Sequence, residues 1–311
     1  MHCEFDKGGS SVSARTKLSF VAILLAATSA APLFADAKSK PPKPAATMSV
    51  SVARQEALKQ RIRKSVGAEF ADRIFQDPRF TFDENIYAPK KNVTPQKHDP
   101  RRWTDYDYAL SPEYIQKARN FLETQKAVFD AEQAKFGVPK EVIVAILVVE
   151  TKLGERLGKG LVIQTLWTRA VFQTRLQRPA AAERELIAFL LICKKNNFDP
   201  FTIPGSSTGA FGLPQFEPSS YTILAARYAN DGKPPNLFDP ADAIWSVGNF
   251  LSRAGWNKNT LTHEQVALRY NKQLLYASAV LDCADTLSGK STKHHHYVFA
   301  HRQPVERAAT K

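Results

Sequence analysis

The stretch Val142-Ile143-Val144-Ala145-Ile146-Leu147-Val148-Val149 constrains the fold of this chain more than any other. A run with no polar interruption has no wet face, so the element it forms must be enclosed on all sides. Val and Ile suit a strand, and periodicity alone does not separate a buried strand from a buried helix. Punctuation favours helix: Pro139 supplies a start, Gly154 a stop, and the interval of about four turns is too long for an average strand. This buried helix ends on Glu150, followed by Thr151-Lys152-Leu153-Gly154. An ionised Glu is rarely buried unpaired, and apolar surroundings favour its protonated form, as a general acid requires. A rise from the ordinary value to about 6 would increase the protonated fraction at pH 7 roughly fiftyfold. Lys152 and Arg156 oppose that rise unless their side chains point away.

The remaining apolar residues recur mostly at helical spacing, and alternating strand patterns are scarce. Ser111-Pro112-Glu113 marks a helix start whose pattern runs to about Phe136, where Gly137 breaks it. Further helices are predicted over roughly 179–196, 217–229, 240–254, 262–270 and 273–287, with Asp239-Pro240 and Thr262-x-x-Gln265 as cap signals. Upstream, Arg15 and Lys17 precede an apolar stretch from Leu18 to Ala27, and Ala35-Asp36-Ala37 fits a cleavage site, so residues 1–37 read as a secretory signal. The stretch is shorter than the ~20 residues of a span, so no stable membrane span is expected after cleavage. Residues 38–51, rich in Lys, Pro, Ala and Ser, read as a linker; 52–288 form the folded domain, and 289–311, with His294-His295-His296, an exposed tail.

The formal charge is +13, and the signal contributes three basic and three acidic residues, so the excess belongs to the mature chain. Export argues against nucleic acid and favours a polyanionic partner such as the bacterial wall, with a periplasmic location. Cys193 and Cys283 sit in apolar helical patterns, where buried free thiols are expected.

Three segments accompany Glu150: Gly205 to Tyr221, which carries Ser206 and Gln215; Asn236 to Asp242, continuing to Gly255-Trp256; and Arg269-Tyr270-Asn271 with Tyr276 to Val280. In this order they resemble the B-type membrane-bound lytic transglycosylases, which cut the glycan of bacterial peptidoglycan, over roughly residues 52–288. The resemblance implies a mostly α fold with a lysozyme-like helical core over about 137–288 and an additional N-terminal helical region. It implies Glu150 as the single catalytic acid and base, with Ser206, Gln215, Tyr270, Asn271 and Tyr276 facing the substrate cleft. It further implies peptidoglycan glycan strands as partner, a monomer and no cofactor.

The sequence departs from the family at Leu153, Pro214 and Glu217, where relatives carry an aromatic, Gly and Met. The stretch from Arg227 to Pro235, equivalent to a calcium loop in longer members, lacks most of the carboxylates a hard cation needs, so no metal is expected. Two alternatives stay open. A goose-type-like muramidase would use water, with Glu217 or Asp199 as second carboxylate; a wall-binding module would have lost activity altogether.

Overall fold

The computed structural model describes residues 45–81, 106–173, 178–258 and 260–291. The expected secretory signal and the histidine-rich part of the tail lie outside them. Eleven α-helices are found among the described residues: α1 (Ala45–Val66), α2 (Ala68–Gln76), α3 (Pro112–Thr124), α4 (Lys126–Phe136), α5 (Lys140–Thr151), α6 (Val162–Phe172), α7 (Arg178–Asn196), α8 (Pro218–Leu224), α9 (Pro240–Ala254), α10 (His263–Tyr270) and α11 (Leu274–Leu287). Two two-residue strands, β1 (Gly160–Leu161) and β2 (Pro204–Gly205), pair antiparallel. Among these residues no helix is long and apolar enough to cross a membrane.

The apolar run forms α5, and Val142 to Val149 are all buried. α11, α3 and α9 pack around it, so its lack of a polar face is satisfied by neighbours on every side. A second apolar cluster joins α1 and α2 to α6 and α7, with Trp167 and Phe189 enclosed at its centre. The expected caps form: Ser111 Oγ accepts from Tyr114 N at 3.3 Å, Asp239 Oδ1 from Ala241 N at 2.8 Å, and Thr262 with Gln265 closes a capping box. Cys193 and Cys283 are free, and burial pushes both thiols up to about 12.

Several boundaries differ from the sequence reading. Helix α1 begins at Ala45, so the second half of the expected linker is helical. The single helix expected from 112 to 136 is two, because Gln125 (φ −103°, ψ 18°) leaves helical geometry between α3 and α4. The helix expected over 217–229 stops at Leu224. Ala225 turns extended, and Arg227 is drawn instead toward Asp231 and Asp242. Helix α6 was not anticipated, although Val162, Ile163, Leu166, Trp167 and Val171 form a regular buried stripe.

Candidate active site

Glu150 occupies the last turn of α5, and the chain then leaves the helix through three residues of positive φ: Lys152 (55°), Leu153 (59°) and Gly154 (99°). For Lys152 and Leu153 this conformation is costly, and it persists because surrounding bonds fix it. Thr151 Oγ1 donates to Leu213 O (2.9 Å) and accepts from Gly154 N (3.1 Å), while Tyr108 Oη donates to Val149 O (2.6 Å). The carboxyl-bearing turn is therefore pinned from both flanks. On one side Leu213 N reaches Leu237 O (2.8 Å), and Gly212 (φ 76°) runs so close to Leu237 that a Cβ there would lie 2.3 Å from Leu237 Cβ.

A cavity of about 650 Å³ opens over this turn. Its wall includes Glu150 and all five residues named from the resemblance: Ser206, Gln215, Tyr270, Asn271 and Tyr276. They come from four separate parts of the chain, which only the tertiary fold unites. Ser206 shapes its own loop, its Oγ accepting from Thr208 N (3.3 Å) and Ala210 N (3.2 Å). Gln215 stands at φ 49°, and its side-chain amide donates to Gly212 O (2.9 Å), bracing the turn that carries it. Tyr270 Oη donates to Pro214 O (2.5 Å), its ring stacks on Tyr276 with centroids 6.0 Å apart, and Phe250 lies against its other side at 4.6 Å. Asn271 follows α10 directly; its side-chain oxygen accepts from Gln273 N at 3.2 Å.

Burial raises the Glu150 carboxyl to about 7. Protein atoms crowd the carboxyl although part of the residue stays open to the cleft. The Tyr276 hydroxyl pulls the other way, although its approach to the carboxyl falls short of full hydrogen-bond geometry. Lys152 does not oppose the shift, because its ammonium lies over the rings of Tyr108 (4.0 Å) and Tyr114 (4.8 Å). Burial, with a small contribution from the Glu150 charge, raises both Tyr270 and Tyr276 well above the ordinary phenol range, so both hydroxyls stay neutral donors.

The two candidate second carboxylates separate. Asp199 lines a different depression and is held by Arg79 (2.8 Å) and Phe201 N (3.0 Å), which keep it below the usual carboxylate range; it takes no part in the Glu150 cleft. Glu217 does line that cleft, at the residue preceding α8. Its carboxyl is raised by burial and by Glu185 and lowered by Arg169.

Among cleft residues not anticipated, Tyr106 lies edge-on to Tyr276 at 6.0 Å. Its signal in sequence was only an aromatic pair, with Tyr108, ahead of α3. A second buried carboxyl, Glu132 on α4, was also not anticipated. It is fully enclosed against Gly248 of α9, neither oxygen has a hydrogen-bond partner among the described residues, and burial raises it to about 8. The loop equivalent to a calcium site holds a guanidinium. Arg227 forks onto Asp231 (3.0 and 2.7 Å) and reaches the buried Asp242 (2.7 Å), which also accepts from Tyr228 N and Asn236 N. No cluster of three or more His, Cys, Asp or Glu suited to a metal occurs among the described residues.

This helical architecture is shared with solved lytic transglycosylases. SltB3 of Pseudomonas aeruginosa superposes with a TM-score of 0.66 at 22% identity, covering 77% of this chain and 80% of that one. Slt35 of Escherichia coli, solved in complex with calcium, gives 0.55 at 26% identity over 60% of this chain and 78% of that one. Residues 48–278 match the Transglycosylase SLT domain model, and the chain belongs to that family. Membrane-bound lytic murein transglycosylase B of Escherichia coli (strain K12) is 35% identical over 187 residues, 60% of this chain. The chain spans half the length of that curated relative.

Proposed function

We propose that this protein is a peptidoglycan lytic transglycosylase acting in the bacterial periplasm after export, as a monomer. The observation that carries the reading is the Glu150 carboxyl, raised to about 7 by burial in a cleft of about 650 Å³. At that value about half the molecules hold the proton at neutral pH, while the other half are poised to take one. Glu150 donates its proton to the oxygen of the β-1,4 bond between N-acetylmuramic acid and N-acetylglucosamine as that bond breaks. The resulting carboxylate then removes the proton from the C6 hydroxyl of the same muramoyl residue, whose oxygen attacks C1 and closes a 1,6-anhydro ring. Glu150 ends protonated, water is not consumed, and no second carboxylate is required, unlike in hydrolysis.

Ser206, Gln215, Tyr270, Asn271 and Tyr276 would bind the sugars. Tyr270 and Tyr276 present their edges and hydroxyls to the cleft wall, and Gln215 and Asn271 offer amide groups for hydroxyl and acetamido contacts. The family membership supports the reaction class. Further support comes from SltB3 of Pseudomonas aeruginosa, solved with NAG-anhNAM-pentapeptide and with NAG-NAM-pentapeptide.

The test is product mass. Peptidoglycan incubated with the protein should release muropeptides with 1,6-anhydromuramoyl ends, and Glu150→Gln should release none. Reducing ends, heavier by one water, would replace this reading with a muramidase. Binding to the wall without any product would leave a binding module.

A further inference from the structure

Glu217 has no structural task that accounts for it. It precedes α8, where an acidic side chain would ordinarily cap the helix, yet it makes no capping hydrogen bond. The cap comes from α7: the Glu185 carboxylate accepts from Ser219 N and from Ser219 Oγ, both at 2.9 Å. The neighbouring cation, Arg169, turns its guanidinium to Ser207 O at 3.3 Å rather than into an ion pair with Glu217. Protein atoms flank the Glu217 carboxyl, but by surface area the residue is exposed, and it lines the Glu150 cleft with Thr208 and Ser220. The basic residues of the same cleft, Arg269 and Lys272, belong to the end of α10 and the turn after it, so the two signs of charge come from different elements. A carboxylate with no hydrogen-bond or ion-pair partner among the described residues, on a substrate-facing wall, attracts a cation, and the positive charges carried by a peptidoglycan strand are primary amines.

We infer that Glu217 forms a subsite for a primary ammonium group on the glycan substrate and makes this enzyme prefer amine-bearing strands. The inference rests on the proposed transglycosylase activity. Two sources share the chemistry: the amino-sugar nitrogen exposed when an acetyl group is lost, and the side-chain amine of a diamino acid in the stem peptide. Arg169 and Glu185 act on Glu217 with opposite signs.

The experiment compares kcat/KM on wall with free amines and on the same wall after N-acetylation. The comparison is repeated on peptide-free glycan strands with and without de-N-acetylation. The native protein should favour the amine-bearing form about fivefold, the size of a partly solvated ion pair. That ratio should fall toward one in Glu217→Gln and Glu217→Met, and for the native protein in high salt. A preference kept on peptide-free strands assigns the amine to the sugar; one seen only on peptide-bearing wall assigns it to the stem. A native ratio of one, or a preference that survives in both variants, overturns the subsite. Reducing-end products made by the native protein and absent in Glu217→Gln would also overturn it, assigning Glu217 to water activation instead. A native protein that cuts none of the substrates would refute the proposed activity, a result distinct from an active enzyme indifferent to amines. Because Glu185 caps α8, both variants are expected to fold.

Discussion

Replacing Glu150 by Gln should make the protein inactive and more stable at once. Burial lifts the carboxyl from its ordinary 4.5 to about 7. At about 1.4 kcal/mol per tenfold, that displacement is on the order of 3 kcal/mol of unfavourable free energy once the solution pH exceeds both values. The sign follows from proton counting. Below pH 4.5 the group is protonated in folded and unfolded chains alike, and it costs nothing. Between 4.5 and 7 the unfolded chain releases the proton while the folded one keeps it, so stability falls as pH rises; above 7 the loss is complete. Gln has the same shape without the charge, so Glu150→Gln should match the native protein near pH 4 and exceed it by about 2–3 kcal/mol at pH 8. For a domain of this size that is roughly 5–10 °C in melting temperature. Thermal unfolding followed by circular dichroism at both pH values measures it. The comparison is internally controlled, because Glu132 contributes equally to both proteins and cancels in the difference. A gain that is the same at pH 4 and pH 8, or a variant less stable at pH 8, would refute the claim that burial raises this carboxyl.

Three further outcomes are expected. The rate of anhydro-product release should decline as pH rises through about 7, approaching tenfold per pH unit as the acid form of Glu150 is lost; a flat profile from pH 6 to 9 would separate Glu150 from proton donation. Thr151→Val removes the hydroxyl joining α5 to Leu213 O, and should cost about 1–2 kcal/mol in chemical denaturation and lower kcat more than KM; unchanged kinetics would show that this tie does not position Glu150. Glu132→Met replaces an enclosed carboxyl, raised to about 8, by an apolar side chain of similar length, and should gain on the order of 3 kcal/mol near pH 8 and little near pH 4, since the native cost accrues between about 4.5 and 8. Equal stability at both pH values would mean that the Glu132 oxygens have partners after all.

What could be read from sequence follows the range of the forces involved. The buried helix and its terminal Glu150 are local, because composition and punctuation over fourteen or so residues decide them. Caps at Ser111, Asp239 and Thr262 are local in the same way. Helix α6 carries a regular apolar stripe but follows Leu161, which offers no side-chain cap, and it escapes a reading that relies on punctuation. The break at Gln125 has neither Gly nor Pro to announce it, and the early end of α8 depends on Arg227 finding Asp242 fifteen residues away. Glu132 lies in a polar stretch that reads as surface. Only its placement against Gly248, far along the chain on α9, encloses it. The cleft residues could be named because they resemble a family, whereas their convergence on one cavity is a property of the tertiary fold.

The loop closed by Arg227 has a consequence for how the support behind the Glu150 turn is supplied with positive charge. Asp231 and Asp242 share one guanidinium, and Lys233 lies 3.8 Å from Asp231, so both cations are synthesised with the carboxylates in a fixed ratio and at an effective concentration set by the chain. Ionic balance there is inherited with the polypeptide. The segment that seats Leu237 under Gly212, and through Leu213 steadies Thr151 beside Glu150, is tied to α9 through Asp242 by charges that the chain itself carries.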